Sequence, residues 1–399
     1  MIRLDREEMS KNLCLLSILA LPFSWFTSPV GSVYRLLMII FILLNIVNSK
    51  WKIQIYEENK WLIKAWAVYY FYTSIRALLS HNLSSSVSYI MGMGLIFLMA
   101  LIYASQRFNA ADRIKLQESW IAVGCITELL FLTGDRSSLG QYTSRTSLRI
   151  FGVVTDPNEF TSLFIITIPV AVYILLKSDN KIMKILSAVE GIIGLYCVFL
   201  GGSRGALLSI IFAVIFVVVQ NTDISFKSIG GIAILCVIMF YVLTRVVLPM
   251  VAPDILNRIT ISSIMKDGGS GRSSLWLDAL STVWDGSVFK MLFGYGASGI
   301  IAGGGQGTST MHNQFLQVLV DYGFVGLILY LYLLYRLLIQ FVYKNKMYTP
   351  IFCGMVVMSL TITMGPQVKP FWVFIMTAFL GDSSLRRVNR NEESICYNY

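Results

Sequence analysis

Apolar runs long enough to cross a membrane recur along nearly the whole sequence, and they restrict its fold more than any other feature. A spanning helix needs about 20 mainly apolar residues to cross about 30 Å of hydrocarbon. Of the 399 residues, 56% are hydrophobic and only 14% are charged, which is more apolar surface than one water-soluble core can bury. The sequence therefore predicts a membrane protein, and the repetition of spans excludes an enzyme held by a single anchor.

The runs predict an all-α polytopic protein with about twelve membrane helices in one transmembrane domain, 1–399. The predicted spans are 12–28, 33–47, 61–79, 84–104, 117–134, 159–177, 183–200, 205–221, 228–248, 315–341, 348–365 and 369–381. Pro366 and Pro370 interrupt the last part, so eleven spans or a re-entrant segment are the alternatives. The first run lacks a small-residue cleavage site, so we interpret it as a retained helix and not as a signal peptide.

Lysine and arginine in short loops indicate the orientation, because such loops are retained in the cytoplasm. One alternating set of connections is rich in these residues. Its members include Lys50, Lys52, Lys60, Arg107, Arg113, Lys115, Lys177, Lys181, Lys184, Lys227, Lys344, Lys346, Arg386, Arg387 and Arg390. The opposite connections 29–32 and 80–83 contain neither residue type. The sequence thus predicts a cytoplasmic (inner) membrane protein with both termini in the cytoplasm.

Basic residues on the predicted outer side break this rule in the middle of the chain. They are Arg136, Arg145, Arg149, Arg204, Arg258, Lys266, Arg272 and Lys290. A long loop can be translocated whatever its charge, but Arg204 lies in a turn of only a few residues. The net charge of +10 is spread over many loops, which favours a membrane protein over one that binds nucleic acid.

Segment 249–314 is the long hydrophilic stretch, predicted to be a periplasmic or extracellular loop. Apolar residues from Ser273 to Trp284 recur at near-helical spacing, so we expect a helix that lies over the outer face. Glycine-rich segments flank it on both sides. They would either allow the helix to move or form ordered turns.

The segment Gly201-Gly202-Ser203-Arg204-Gly205 joins two apolar helices with almost no loop. Arg204 would lie at a helix N-terminus, where the guanidinium and the helix dipole both favour a phosphate. The alternative is an interfacial arginine that extends to the lipid headgroups.

The segment Thr155-Asp156-Pro157-Asn158-Glu159-Phe160 directly precedes the sixth apolar run. Asp156 or Asn158 can cap that helix, with Pro157 in its first turn. Asp156 can alternatively orient Arg145 or Arg149, or bind a sugar hydroxyl. The residues alone leave both interpretations open.

His312 lies where the long loop re-enters the membrane, in Thr308-Ser309-Thr310-Met311-His312-Asn313-Gln314. A histidine can take a proton from an attacking hydroxyl near neutral pH, and Asn313 or a loop carboxylate can orient its ring. The alternative is a boundary residue that only forms hydrogen bonds. We keep that interpretation for His81, the other histidine of the chain.

Two further arginines and the cysteines complete the candidate residues. Arg272 begins the predicted loop helix, which again places a guanidinium at a helix N-terminus. Arg76, near the outer end of the third run, is expected to face the same cavity, because an ionisable group within a span faces protein or water. The six cysteines are scattered without ligand spacing, so neither a disulfide framework nor a zinc site is predicted.

Taken together, the order of these motifs resembles the O-antigen ligase and Wzy-type polymerase family of bacterial membrane glycosyltransferases. The resemblance rests on VVTDPNEF, GGSRGALLS, SGRSSLWLDAL, LFGYGASG and MHNQFLQVLVDYGFVGLILYL, within residues 150–335. It implies a GT-C-like helical fold that transfers a glycan from an undecaprenyl-pyrophosphate carrier to an acceptor on the outer side of the membrane. It implies neither a metal nor another cofactor, and the sequence contains no Asp-x-Asp motif.

The resemblance also implies roles for individual residues. Arg204 and Arg272 would stabilise the anionic leaving group, and His312 would activate the acceptor hydroxyl. The predicted substrate-binding residues are Asp156, Asn158, Arg145, Arg149, Arg76 and Asn313.

The function predicted from the resemblance is polymerisation of carrier-linked repeat units into O-antigen, capsular polysaccharide or exopolysaccharide. A ligase that delivers the finished glycan to lipid A–core is the alternative within the family. From another class, a lipid-linked glycan transporter or flippase would show internal repeats and broken helices that meet at mid-bilayer. The implied partners are the lipid-linked donor, the glycan acceptor and membrane lipids, with a flippase and a chain-length regulator as further candidates and no nucleic acid.

Overall fold

The computed structural model describes residues 6–28, 31–80, 83–138, 146–150, 153–154, 156–222, 272–297, 310–344 and 346–382. These residues form a bundle of helices with short strands near the helix ends. The helices are α1 Arg6–Leu19, α2 Val33–Asn48, α3 Glu57–Leu78, α4 Leu83–Ala104, α5 Ala110–Thr133, α6 Pro157–Ser162, α7 Phe164–Lys177, α8 Lys181–Gly201, α9 Arg204–Asn221, α10 Arg272–Trp284, α11 Val288–Phe293, α12 Gln314–Lys344, α13 Thr349–Ser359 and α14 Lys369–Met376. Short 3-10 turns are Leu21–Trp25, Lys346–Tyr348 and Thr377–Phe379.

The strands form three small sheets in the described part of the chain. They are β1 Thr27–Ser28, β2 Gly31–Ser32, β3 Arg107–Phe108, β4 Asp135–Ser138, β5 Thr146–Ile150, β6 Val153–Val154 and β7 Gly381–Asp382. Strand β1 pairs with β2 and the order β4-β5-β6 is antiparallel throughout, whereas β3 pairs with β7 in parallel. The last pair joins the connection before α5 to the segment after α14.

Five of the described helical segments are long and apolar enough to cross a membrane. They are Ser86–Ala104, Pro157–Lys177, Lys181–Gly201, Arg204–Asn221 and Gln314–Lys344. The predicted class, a helical membrane protein with several spans, is confirmed. The number twelve stays a prediction, and the predicted span 228–248 lies outside the described residues.

Three of the predicted spans are divided or shortened in the structure. The first run ends its α-helix at Leu19, and a 3-10 turn with Pro22 in its first residues follows, because proline lacks an N–H and clashes with the preceding helical turn. The predicted run 348–365 is helical only to Ser359. Helix α14 has eight residues and is almost wholly buried, so it is an interior helix, too short to span a bilayer alone.

The core of the bundle is rich in aromatic side chains from distant parts of the sequence. Trp66 of α3 lies 5.7 Å from Trp372 of α14 between ring centroids, and Trp120 of α5 lies 6.2 Å from Phe374. Each buried aromatic removes about 150–250 Å² from solvent or lipid. This packing holds α14 in the interior of the bundle.

A buried asparagine fixes one end of the bundle. Asn59 donates hydrogen bonds to the carbonyls of Ala104 and Phe379 at 3.0 and 2.6 Å, and its side-chain oxygen accepts from Gln340 and Lys344 at 2.8 and 2.9 Å. Four segments therefore meet at this single residue. Helix α3 starts here and α12 ends here, so the other terminus of each helix lies at the opposite end of the bundle. That end carries Arg204 and is named the Arg204 end below.

Helix α12 is interrupted near its start, at the Arg204 end. Gly323 has φ 69° and ψ −170°, which is not helical. The carbonyls of Val320 and Asp321 instead accept hydrogen bonds from the N–H groups of Tyr295 and Gly296, at 2.9 and 2.7 Å. Non-helical backbone within a membrane helix is tolerated where protein satisfies its polar groups. The segment after α11 thus completes the broken helix.

The substitution Gly323→Ala is expected to lower the thermal unfolding midpoint in detergent sharply. A Cβ at Gly323 would overlap the carbonyl of Leu292, and φ is in the left-handed region, so strain and overlap together should cost about 2 kcal/mol or more. Gly191→Ala in α8 is the matched control, because nothing lies within 4 Å of a Cβ placed there. Equal midpoints for the two variants would contradict the described geometry.

The helix predicted in the long loop is present as α10, which begins one residue earlier than expected. Ala279 and Val283 of α10 are buried against Leu319 and Val320 of α12. The indole N–H of Trp276 donates to the carbonyl of Met311 at 3.0 Å. The loop helix is therefore anchored to the first part of α12. The glycine-rich segments on either side lie outside the described residues.

Candidate functional site

Arg204 is the first residue of α9, directly after the tight turn that ends α8. Gly202 forms this turn with φ 57° in the left-handed region, which favours glycine at a helix end. Ser203 caps α9 by accepting a hydrogen bond from the N–H of Ala206 at 3.4 Å. The half-buried Arg204 thus lies at a helix N-terminus, where backbone N–H groups and the dipole favour an anion.

The TDPNEF motif meets this turn directly. The hydroxyl of Ser203 donates to the side-chain oxygen of Asn158 at 3.0 Å, and both side chains are buried. Asp156 caps α6 by accepting hydrogen bonds from the N–H groups of Asn158 and Glu159, at 2.7 and 3.2 Å. The cap expected from the sequence is therefore present. A role of Asp156 toward sugar or arginine stays a prediction.

Two arginines of the predicted set cannot be placed beside Asp156. Arg145 lies outside the described residues, and for Arg149 only the backbone, in β5, is described. The backbone of Arg149 pairs with Asp135 in β4 and with Val154 in β6. This small sheet leads the chain toward α6 and the Arg204 turn. Substrate binding by the two arginines stays a prediction.

A recess of about 270 Å³ opens beside Arg204. Apart from the turn itself, its walls are apolar and come from α8 and α9. They are formed by Val198, Phe199, Leu207, Leu208 and Ile211. Leu208 and Ile211 are 58% and 41% exposed on the bundle surface, where a membrane protein contacts lipid. The recess therefore combines a lipid-facing apolar wall with a cationic, anion-favouring rim.

His312 lies in the short link between the long loop and α12, with its backbone in the left-handed region at φ 47°. Such a conformation is uncommon for a residue other than glycine and persists where neighbours hold it. Its neighbours are held on both sides: the N–H of Met311 donates to Gln317 at 3.0 Å, and Asn313 accepts from two backbone N–H groups of α12 at 3.0 and 3.1 Å. Asn313 thus caps α12, and its predicted role toward substrate stays a prediction.

Arg272 starts α10 and is half-buried. Because Trp276 ties α10 to Met311, Arg272 and His312 belong to one connected unit at the start of α12. The structure therefore joins the predicted residues in two groups. One group contains Asp156, Asn158 and Arg204, and the other contains Arg272, His312 and Asn313.

Arg76 fastens α11 to the end of α3. Its Nε and Nη2 atoms donate hydrogen bonds to the carbonyls of Phe293 and Gly294, each at 2.7 Å. The hydroxyl of Ser80 donates to the carbonyl of Ala297 at 3.0 Å. A cation at a helix C-terminus satisfies carbonyls that the helix leaves without partners. These contacts give Arg76 a structural role, and substrate binding by it stays a prediction.

The segment after α11 is also held by a tyrosine. The hydroxyl of Tyr295 donates to the carbonyl of Thr282 at 2.8 Å. Burial raises the pKa of Tyr295, and the nearby carboxylate of Asp285 raises it further. The hydroxyl therefore remains protonated at neutral pH and can act as this donor.

A second cavity, of about 190 Å³, lies between α3, α4, the first part of α12 and the segment 363–367. We name it the central cavity. Of the described residues that line it, Asp321 alone is charged. Eight further lining residues carry a neutral amide or hydroxyl group: Tyr69, Tyr89, Thr310, Gln314, Gln317, Tyr322, Thr363 and Gln367. Gln317 donates to Asp321 Oδ2 at 2.9 Å.

Sequence reasoning missed the residues of α12 that line the central cavity. Gln314, Gln317 and Asp321 lie at positions i, i+3 and i+7 of an otherwise apolar run, a spacing that places all three on one helix face. That periodicity is a signal that could have identified them.

Within the described residues, no group of three or more His, Cys, Asp or Glu side chains is placed to hold a metal ion.

One segment connects the central cavity to the Arg204 turn. A Cβ at Gly205 would overlap the hydroxyl of Thr361, so these residues are in close contact. Three residues further on, the N–H of Met364 donates to the side-chain oxygen of Gln314 at 2.7 Å. An extended chain spans at most about 3.5 Å per residue. The contact beside Arg204 and the wall of the central cavity are therefore within about 10 Å of each other.

Residues 191–331 match the sequence profile of the O-antigen ligase family, Wzy_C, which confirms the resemblance predicted from the motif order. The matched range includes Arg204, Arg272 and His312. None of the curated proteins compared matches the chain.

A solved structure is also similar to this chain. It is described as "Structural coordination of polymerization and crosslinking by a peptidoglycan synthase complex". The sequence identity is 15% and the TM-score is 0.48, with 80% of this chain and 96% of that chain covered.

Proposed function

We propose that this protein is a membrane glycosyltransferase that polymerises undecaprenyl-pyrophosphate-linked repeat units into O-antigen, capsular polysaccharide or exopolysaccharide. The reaction would take place on the outer face of the cytoplasmic membrane, without a metal. The observation that carries the proposal is the recess beside Arg204, whose lipid-facing wall and cationic rim suit a polyprenyl chain and a pyrophosphate. The O-antigen ligase family match supports this class of substrate.

In the proposed reaction, a hydroxyl of the acceptor sugar attacks the anomeric carbon of the donor sugar. The new glycosidic C–O bond forms, the bond from that carbon to the pyrophosphate oxygen breaks, and undecaprenyl pyrophosphate leaves. His312 takes the proton of the attacking hydroxyl. Negative charge develops on the leaving pyrophosphate, so Arg204 and Arg272 stabilise the transition state.

Asn158 is the best supported of the proposed substrate-binding residues. Its side-chain oxygen accepts a hydrogen bond from Ser203, which lines the recess beside Arg204, so Asn158 supports the turn where the donor would bind. Arg145, Arg149, Asp156 and Asn313 are proposed as further contacts to donor or acceptor. Arg76 would contribute by holding α11 in place.

The break at Gly323 is relevant to the alternative of a lipid-linked glycan transporter, since broken helices often form transporter binding sites. The freed carbonyls of Val320 and Asp321 accept hydrogen bonds from Tyr295 and Gly296. They are thus occupied by the protein's own backbone, which favours a fixed scaffold. A ligase that transfers glycan to lipid A–core would use the same donor chemistry and differ in its acceptor.

Deletion of the gene is expected to leave surface glycan with single repeat units, seen by gel electrophoresis. Complementation with the wild-type gene should restore long chains, and the Arg204→Ala gene should not. Accumulation of long carrier-linked chains in the deletion strain would instead identify a ligase. Glycan translocation by the purified protein in liposomes, with unchanged chain length, would identify a transporter. Unaltered surface glycan in the deletion strain would contradict all three functions.

A further inference from the structure

The lining of the central cavity differs in charge from the recess beside Arg204. Asp321 is the charged residue among its described lining residues, and no lysine or arginine is among them. Phosphate groups are bound by cations and convergent N–H donors, and a carboxylate repels them. Sugar hydroxyls, by contrast, both donate and accept hydrogen bonds and match a carboxylate, amides and tyrosines. The lining therefore suits an uncharged sugar and does not suit the pyrophosphate.

Asp321 is held in a fixed orientation inside this cavity. Its side chain is only 6% exposed, and Gln317 donates to Oδ2 at 2.9 Å. The other end of the Gln317 amide accepts from the N–H of Met311, next to His312. One amide thus links the carboxylate to the His312 segment, so both are positioned by the same residue.

Apolar and aromatic side chains complete the cavity wall. Trp372 and Met93 line it together with the polar groups, and the indole N–H of Trp372 is engaged by the carbonyl of Gly365 at 2.9 Å. The ring plane of Trp372 is therefore fixed. Binding sites that combine apolar walls with a few placed polar groups orient a small ligand. The apolar face of a sugar ring matches such a wall.

The size and position of the central cavity indicate which part of the glycan it can hold. The cavity, of about 190 Å³, is smaller than the roughly 300–1,000 Å³ of sites for drug-sized ligands, so it suits one sugar ring better than a whole repeat unit. Thr310 and Gln314, which flank His312 in sequence, both line it. The segment from Met364 to Thr361 leads from its wall to the Arg204 turn within about 10 Å. A ring bound here is therefore close to the segment that carries the proposed base and to the turn that carries the proposed donor site.

We propose that the central cavity binds one uncharged sugar ring of the glycan acceptor and that Asp321 positions it by accepting hydrogen bonds from its hydroxyls. The proposal rests on the proposed function, and it divides the site between an acidic acceptor cavity and a cationic donor recess. Asp321 thereby determines specificity for the acceptor, whereas Arg204 binds the carrier pyrophosphate.

The test compares two probes on the full-length protein in nanodiscs. One probe is the phosphate-free oligosaccharide repeat released from its carrier by mild acid, and the other is undecaprenyl pyrophosphate without sugar. Asp321→Asn, which removes the charge with almost no change in shape, is expected to weaken oligosaccharide binding about tenfold or more. Its affinity for undecaprenyl pyrophosphate should change less than about twofold.

Two further variants keep the test decisive, and the unfolding midpoint of each variant shows whether it is folded. Asp179→Asn removes an exposed carboxylate in the connection between α7 and α8 and should leave both affinities unchanged. Gln367→Ala, at an exposed position of the cavity rim, should weaken oligosaccharide binding alone, even if Asp321→Asn unfolds. Equal weakening of both probes, or none for the oligosaccharide, overturns the inference while wild-type glycan transfer continues. Absence of transfer by the wild-type protein would instead overturn the proposed function.

Discussion

Replacement of Arg204 by alanine is expected to slow glycan transfer about 10²–10³-fold, the range seen when one preorganised donor to a developing anion is removed. The guanidinium lies at the N-terminus of α9, beside an apolar recess. Beside this apolar wall the local dielectric is lower than in water, so a charge-assisted hydrogen bond to the leaving pyrophosphate is stronger than in solution. The effect should appear in kcat, because charge on the leaving group increases as the bond breaks.

The measurement is single-turnover transfer by purified protein from a lipid-linked repeat unit. Arg204→Lys keeps the charge but loses the planar fork of donors, so its rate should fall between those of wild type and Arg204→Ala. Lys181→Ala, at an exposed position that starts α8 at the opposite end of the bundle, should transfer at the wild-type rate. A rate for Arg204→Ala within twofold of wild type would contradict the assignment.

The helices and the loop helix could be predicted from the sequence because their signals are local. The apolar stripe of α10 repeats within 13 residues, and the cap at Asp156 depends only on the residues that directly follow it, up to Glu159. The break at Gly323 could not be predicted. It is stable because Tyr295 and Gly296, from another segment, satisfy the freed carbonyls, and sequence periodicity contains no information about that partner.

The candidate site shows the same division between local and tertiary information. Arg204 was identifiable because a basic residue in a tight outer turn violates the positive-inside rule. Asn158, which accepts a hydrogen bond from the adjacent Ser203, lies 45 residues before Ser203 in the chain, and only the packing of α6 against the turn brings the two together. Asp321 was missed for a different reason. A single carboxylate scarcely lowers the hydropathy of a 31-residue helix, so the apolar pattern predicts the membrane span and gives no sign of the cavity that it lines.

Removal of the base at position 312 is expected to slow transfer about 10²–10⁴-fold, as general base catalysis allows. The informative variant is His312→Asn, because asparagine tolerates the left-handed backbone of this residue (φ 47°) better than alanine. His312→Ala would add backbone strain to the loss of the base. Similar rates for both variants, with unchanged unfolding midpoints for His312→Asn, would assign the loss to chemistry and not to folding.

The pH dependence separates a base from a residue that only orients substrate. A histidine base must be neutral, so the wild-type rate should fall as the pH is lowered through the range in which histidines titrate. His312→Asn should lose this dependence, whereas the control His81→Ala should keep both the rate and the profile. Full transfer by His312→Asn would remove the base from position 312. The carboxylate of Asp321, linked to the same segment through Gln317 and Met311, would then be the next group to test as the proton acceptor.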